Sequence, residues 1–265
     1  MENLIGYFAS GLIGISLGLI GGGGSIITIP VLVYLFHIEP TVATAYSLLI
    51  VGSTSLVGGV RNATSRMVDF RVAVLFSVPS LISIYLTRHY MLPNIPSVIG
   101  SLGHYEVTKD LAIMIFFSII MITASIRMIR GSQLPENENP SIHYNFAKIF
   151  AQGIVLGVVT GIVGAGGGFL IIPALVFLAG LSMKKAIGTS LVIITINSIA
   201  GFVGDLGTSM QMNYPFIALV SGFAIAGVFV GTYLTKFLNG GKLKAGFGWF
   251  ALTVAIFIIG KEMFS

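Results

Sequence analysis

The chain has 265 residues, 55% of them hydrophobic and 9% charged, and 14 Lys and Arg against 9 acids leave a net charge of +5. A soluble surface needs about 25–35% charged residues, so a water-soluble domain is excluded and the solvent this sequence expects is lipid. The absence of cysteine excludes disulfides, thiolate metal sites and cysteine nucleophiles. In a membrane protein the basic excess records orientation, so nucleic acid is not expected as a partner. Met1-Glu2-Asn3 carries no basic n-region, and no removable signal peptide is expected.

In chain order, the first apolar stretch, Leu4–Phe36, is too long for one span of about 20 residues. It is broken by GLIGGGGSIITIP at Gly18–Pro30. Spans are predicted over Val42–Val60, Val72–Leu86 and Leu111–Met128, with Pro79 expected to kink the second. The polar segments Asn94–Glu106 and Gly131–Tyr144 read as loops, and QLPENENP makes the latter a linker. A second over-long stretch, Phe146–Ala179, is broken by GIVGAGGGFLIIP at Gly161–Pro173. Further spans are predicted over Ala186–Val203, Phe216–Leu238 and Ala245–Ile259.

A constant offset pairs Gly18 with Gly161, Gly21 with Gly164, Gly24 with Gly167 and Pro30 with Pro173. Without a gap it also pairs Ser47-Leu48 with Ser190-Leu191, Ser55 with Ser198 and Gly58 with Gly201. The chain is an internal duplication: residues 1–130 form a first transmembrane repeat, 131–144 a cytoplasmic linker and 145–265 a second repeat. If each glycine stretch enters, turns and leaves on one face, Arg61, Arg66, Arg71, Arg127, Arg130, Lys148, Lys184, Lys185, Lys236, Lys242 and Lys244 share one side. Only Arg88, Lys109 and Lys261 then lie on the other, the asymmetry that the positive-inside rule expects. The predicted fold is therefore an all-α integral membrane protein of two inverted repeats, each a re-entrant hairpin plus three transmembrane helices. Both termini would lie outside. The alternative is eight spans in two parallel repeats.

Irregular backbone at membrane depth must be buried in protein or line a wet cavity. After each glycine break a half-helix, starting at Ser25 or Gly168, would present unpaired N–H groups and a positive dipole end, an anion site without a charged side chain. The substrate-binding candidates are accordingly Gly21, Gly22, Gly23, Gly24 and Ser25, with Gly164, Gly166, Gly167 and Gly168 in the second half. The bland alternative is that glycine allows tight helix packing, which fits Gly14/Gly18 and Gly157/Gly161. Ser47, Thr54 and Ser55 share one helix face, and Ser190, Asn197 and Ser198 repeat that face with Thr189 beside them. These side chains either bond neighbouring helices or line a pathway.

No Asp, Glu, Lys or Arg is expected mid-span, so no buried-carboxylate proton relay is predicted. Asp205 and Glu39 read equally as a pair near the outer mouth or as ordinary surface charges, and His37, His89, His104 and His143 as interfacial. The basic cluster of Arg61, Arg66, Arg71, Lys184 and Lys185 reads as topology, although it could gather anions at an inner mouth. No nucleophile–base pair or metal-ligand spacing stands out, so no catalytic residue, metal or cofactor is assigned.

The duplicated G-x-x-G-G-G-G…P turns, with GTSL at Gly188–Leu191 one helix later, resemble the sulfite exporter TauE/SafE family over nearly the whole chain. The resemblance implies a multi-pass carrier of the bacterial inner membrane for sulfite, sulfoacetate or other sulfur-containing or organic anions. Its motif falls on Gly21–Ser25, on Gly164–Gly168 and on Thr189-Ser190. The first half departs from it, with Ala45-Tyr46-Ser47 where Gly-Thr-Ser is expected, so Tyr46 either narrows one side or supplies its hydroxyl. Related thiosulfate carriers are known for cysteines in the pathway, and without any a thiol relay is excluded here. The expected partners are a small anion and the bilayer, and a homo-oligomer is left open. An anion channel and a non-transporting scaffold are the alternatives to a carrier.

Overall fold

The computed structural model describes residues 2–102, 105–131, 146–177, 179–205, 212–238 and 240–264. The expected linker lies, beyond Gly131, outside the described residues. Helix α1 spans Glu2–Ile20 and runs into a 3-10 turn at Gly21–Ile27. A return arm, 28–35, follows and becomes π-helical at Val31–Leu35, directly after Pro30. Next come α2, Pro40–Thr64, and α3, Phe70–Leu86. A proline opens α2, where its missing N–H costs nothing. The Asp69 carboxylate caps α3 by accepting from the N–H groups of Arg71 and Val72. Helix α4 covers Lys109–Gly131 and α5 Phe146–Val163. A second 3-10 turn at Gly164–Leu170 leads into α6, Ile171–Phe177, and then come α7, Met183–Asp205, α8, Tyr214–Leu234, and α9, Gly240–Phe264.

Every expected helix is present, and two loop expectations change. The helical backbone of α3 does not stop at Leu86 but continues through Thr87–Met91 and Leu92–Asn94. Arg88 and His89, expected beyond the span, therefore stand inside its continuation. The Asn94–Glu106 segment is not all loop either: β1, Val98–Leu102, pairs antiparallel with β2, Tyr105–Thr108. Among the described residues, five helical stretches are long and apolar enough to cross a membrane: Pro40–Thr64, Phe70–Asn94, Lys109–Arg130, Met183–Asp205 and Tyr214–Leu234. Within α9 the stretch Gly248–Lys261 is apolar. Phe8, Val155, Ile199, Phe229 and Ile256 are exposed on the outside of the helix assembly, where lipid takes the place of water.

Glycine sets how closely the helices approach. Gly14 lies against the Ala224 backbone and Gly18 against Val228 and Gly231, so α1 and α8 run side by side in the same direction. Gly153, Gly157 and Gly161 lie against Phe76, Ser80 and Thr87, and α5 follows α3 in the same way. A Cβ on Gly14 would overlap the Ala224 carbonyl, and one on Gly157 would stand 2.6 Å from the Ser80 carbonyl oxygen. These glycines are packing residues of the small-xxx-small kind. By contrast α2 and α7 run antiparallel: Leu48 touches Gly201, Gly52 faces Ser198, and Gly58 touches Leu191. Helices at corresponding places in the two repeats thus cross each other, and each repeat's first helix packs on a helix of the other repeat.

Candidate functional site

The two glycine turns meet inside the bundle. Gly21 and Gly164, which correspond in the repeat, open the two turns with φ of 62° and 77°. That conformation is open to glycine and costly for other residues. Gly21 lies against Ile187 and the Ser190 hydroxyl, and Gly164 against Thr44 and the Ser47 hydroxyl. These are the same two contacts with the halves exchanged. The Gly22 N–H donates to Ser190 Oγ at 3.2 Å, giving one of the orphan donors of a helix start an acceptor. A Cβ on Gly22 would stand 2.5 Å from the Gly168 carbonyl oxygen, and one on Gly168 would stand 3.3 Å from Ser25 Oγ. The fully buried Ser25 hydroxyl donates to the Gly22 carbonyl at 2.6 Å and braces the turn from within. Gly23, Gly166 and Gly167 lie in the turns, and their surroundings fall outside the described residues.

Gly24, also a substrate-binding candidate, packs closely on the preceding helix. A Cβ there would overlap Leu17 N on α1, and Ser16 Oγ lies 3.4 Å from the Gly24 carbonyl oxygen. The return arm is folded directly onto the helix before it, so the absence of a side chain at Gly24 is needed for packing.

The structure separates the hydroxyl face predicted on α2 and α7 into several roles. Ser47, Thr54, Ser55 and Ser190 are buried and donate to carbonyls of their own helix: Thr44, Ile50, Val51 and Ile187 respectively. With the proton used locally, what they offer a neighbour is an acceptor lone pair. Ser190 offers its own to Gly22, and Ser55 accepts from Thr195 Oγ1 at 3.3 Å. Ser198 packs against Gly52. Thr189 is drawn away from the glycine turns, because its Oγ1 accepts the Asp69 N–H at 2.9 Å and so holds the start of α3. Asn197 Oδ1 accepts from Ser80 Oγ at 2.6 Å and ties α7 to α3. The Tyr46 hydroxyl accepts the Asn213 N–H at 2.9 Å beside the start of α8, so its oxygen is engaged there.

Two features escaped the sequence reading. Thr28, one turn past Ser25, is fully buried and its hydroxyl has no hydrogen-bond partner among the described residues. Arg88 is also fully buried. Its Nε donates to Asp205 Oδ1 at 2.6 Å, its Nη1 to the Gly161 carbonyl at 3.1 Å, and both terminal nitrogens lie 3.5 Å from Thr44 Oγ1. The expectation that the charged residues are all interfacial is therefore corrected. Each member of this pair ends an apolar run, and only the fold brings the two ends together. A buried charge inside a membrane protein is tolerated when it is paired and hydrogen-bonded, as here.

The sequence profile of the family described as Sulfite exporter TauE/SafE matches residues 7–258. A probable membrane transporter protein of Xylella fastidiosa (strain Temecula1) is 29% identical over 96% of this chain and 94% of its own length. The probable membrane transporter protein YunE of Bacillus subtilis is 29% identical over 80% of this chain and 81% of its own. A probable membrane transporter protein of Haemophilus influenzae is 25% identical over 96% of both. No solved structure matches significantly.

Proposed function

Since the chain belongs to the sulfite exporter TauE/SafE family of multi-pass membrane transporters, we propose that it carries a small sulfur-containing or organic anion, such as sulfite, sulfoacetate or a related sulfonate, across the bacterial plasma membrane. The observation that carries this reading is the meeting of the two corresponding glycine turns at Gly22 and Gly168, well inside the bundle. Paired helix breaks in corresponding positions of two repeats are where secondary transporters hold their substrate. Half-helix starts aim backbone N–H groups and positive dipole ends at such a point, and buried hydroxyls such as Ser25 and Thr28 stand beside or just beyond the first turn. An anion held without a full counter-charge binds modestly and leaves readily. That suits a carrier.

In this reading the repeats are inverted and each glycine turn closes a re-entrant hairpin. The antiparallel crossing of α2 and α7 supports it, since these helices correspond in the repeat and would run parallel if the halves did. The grouping of charges supports it too. Arg61 and Lys184 line one cavity and Arg127 and Lys148 another, while Arg88 and Lys109 stand with Asp205 and Asp110 near the opposite helix ends. Rocking of one half against the other would then expose the site alternately to the two sides.

The test is a proteoliposome flux screen of sulfite, sulfate, sulfoacetate and small carboxylates, with and without imposed pH and sodium gradients. Saturable flux of at least one sulfur-containing anion is expected. Absence of flux for all of them, from protein that is folded and inserted, would overturn the proposal.

A further inference from the structure

The two halves differ at a place where the repeat predicts likeness. In one half the Arg88 side chain fills the space between Gly161, Thr44 and Asp205. The corresponding space in the other half lies between Gly18, Ile187 and Asn62. Asn213 caps α8 as Asp69 caps α3, and Ala224 lies on Gly14 as Ser80 lies on Gly157, so the position equivalent to Arg88 is Thr232, whose short side chain does not reach across that space. Even the carbonyl contact has its counterpart, since Thr235 Oγ1 donates to Gly18 O at 3.0 Å where Arg88 Nη1 donates to Gly161 O. What remains in the second half is a cavity of about 160 Å³, with Gly18, Asn62, Ile187 and Thr235 in its wall.

Its chemistry is cationic. Arg61 and Lys184 line it, and among the described residues no carboxylate does. Arg61 is held at the rim by a 3.3 Å bond from Nη1 to the Phe229 carbonyl and by its position over the Phe229 ring, which leaves further N–H donors for a ligand. Among the described residues Lys184 has no hydrogen-bond or ion-pair partner. Asn62 and the Ser65 and Thr232 hydroxyls add short polar groups around the two charges. The volume equals about five waters at ~30 Å³ each, enough for a small oxoanion or a short sulfonate. The cavity also adjoins the glycine turn, because Ile187 in its wall is the residue against which Gly21 packs.

We propose that this cavity is a second anion site, a waiting position on the Lys- and Arg-rich side that takes a small oxyanion head group between Arg61 and Lys184 before it passes Ile187 to the glycine turns. The site rests on the reading of the chain as an anion carrier. The arrangement opposite explains why only one end has it: there the Arg88 guanidinium, neutralised by Asp205, occupies the equivalent volume.

The experiment is titration of sodium sulfite and sodium sulfoacetate into the full chain in phosphatidylcholine nanodiscs, followed by calorimetry, alongside flux in proteoliposomes. Lys184→Gln and Arg61→Gln are each expected to weaken binding at least tenfold and to raise the half-saturating concentration for transport from that side. Melting temperature and maximal flux should stay near wild type, and Lys184→Arg should restore binding. Lys185→Gln and Arg71→Gln, basic residues outside the cavity wall, should bind as wild type. Unchanged binding in Lys184→Gln and Arg61→Gln overturns the waiting site while leaving the carrier reading intact. An equal loss in Lys185→Gln overturns it as well, since general surface charge would then account for the effect. A wild-type chain that neither binds nor moves either anion defeats the carrier reading and the site with it.

Discussion

Removing one partner of the Arg88–Asp205 pair should be among the most damaging single changes in the chain. The guanidinium is fully buried and Asp205 nearly so, and the 2.6 Å contact is reinforced by the Gly161 carbonyl and Thr44. Arg88→Met keeps a long apolar stem but takes the guanidinium away from a buried carboxylate, a change that costs about 3–5 kcal/mol. At about 2–4 °C per kcal/mol for chains somewhat smaller than this one, the melting temperature should fall by roughly 6–20 °C. Asp205→Asn should cost a similar amount, since it leaves a buried cation with a neutral partner. The double variant Arg88→Met/Asp205→Leu removes both charges, and such replacements are often neutral or stabilising. Its melting temperature should return most of the way to wild type. Thermal unfolding of the three variants in identical nanodiscs checks the argument. Shifts under about 2 °C in both single variants, or a double variant as damaged as the sum of the singles, would refute a buried, mutually dependent pair.

Gly24→Ala should lower the melting temperature and reduce anion affinity only in step with lost folded protein, because its methyl meets the α1 backbone at Leu17; a normal melting temperature with a tenfold loss of affinity would put a ligand there instead. Ser190→Ala deprives the buried Gly22 N–H of its acceptor and should cost about 1–3 kcal/mol, read as a lower melting temperature together with weaker anion binding. Thr189→Ala, next along the same helix, releases the start of α3 and should reduce stability with little effect on affinity. For topology, single cysteines can be placed on the naturally cysteine-free chain: Pro135→Cys should resist membrane-impermeant labelling from outside, and a cysteine near either terminus should be labelled.

The helices and the duplication were legible because lipid imposes a simple rule: each crossing backbone must satisfy its own hydrogen bonds, so spans appear as unbroken apolar runs. The packing glycines were legible for a related reason. Gly14 and Gly157 stand at helical spacing from Gly18 and Gly161, and close helix contact in a bilayer depends on small residues at that spacing. The charged pair was not. A hydropathy window closes a span at the first charge, whereas the α3 backbone continues past Arg88, whose guanidinium is received by Asp205 and the Gly161 carbonyl. Those partners belong to other helices, and nothing local to residue 88 announces them. The separate fates of Thr189 and Ser190 were hidden in the same way, since adjacent positions on α7 turn to different neighbours, one to Asp69 and the other to Gly22.

Comparing the halves residue by residue recovers part of what a local window loses. Where corresponding residues make corresponding contacts, as Gly21 with Ser190 and Gly164 with Ser47, the repetition reports the architecture that both halves must build. Where they diverge, the architecture is indifferent and the difference must serve something else. Arg88 against Thr232 is such a divergence: a buried cation with a carboxylate on one side, and on the other an open cavity with Arg61 and Lys184 in its wall. A symmetric pair of repeats offers an anion the same route from either face. In the proposed carrier, an arginine in place of a threonine, together with the arginine's carboxylate partner, is enough to make the two approaches chemically different.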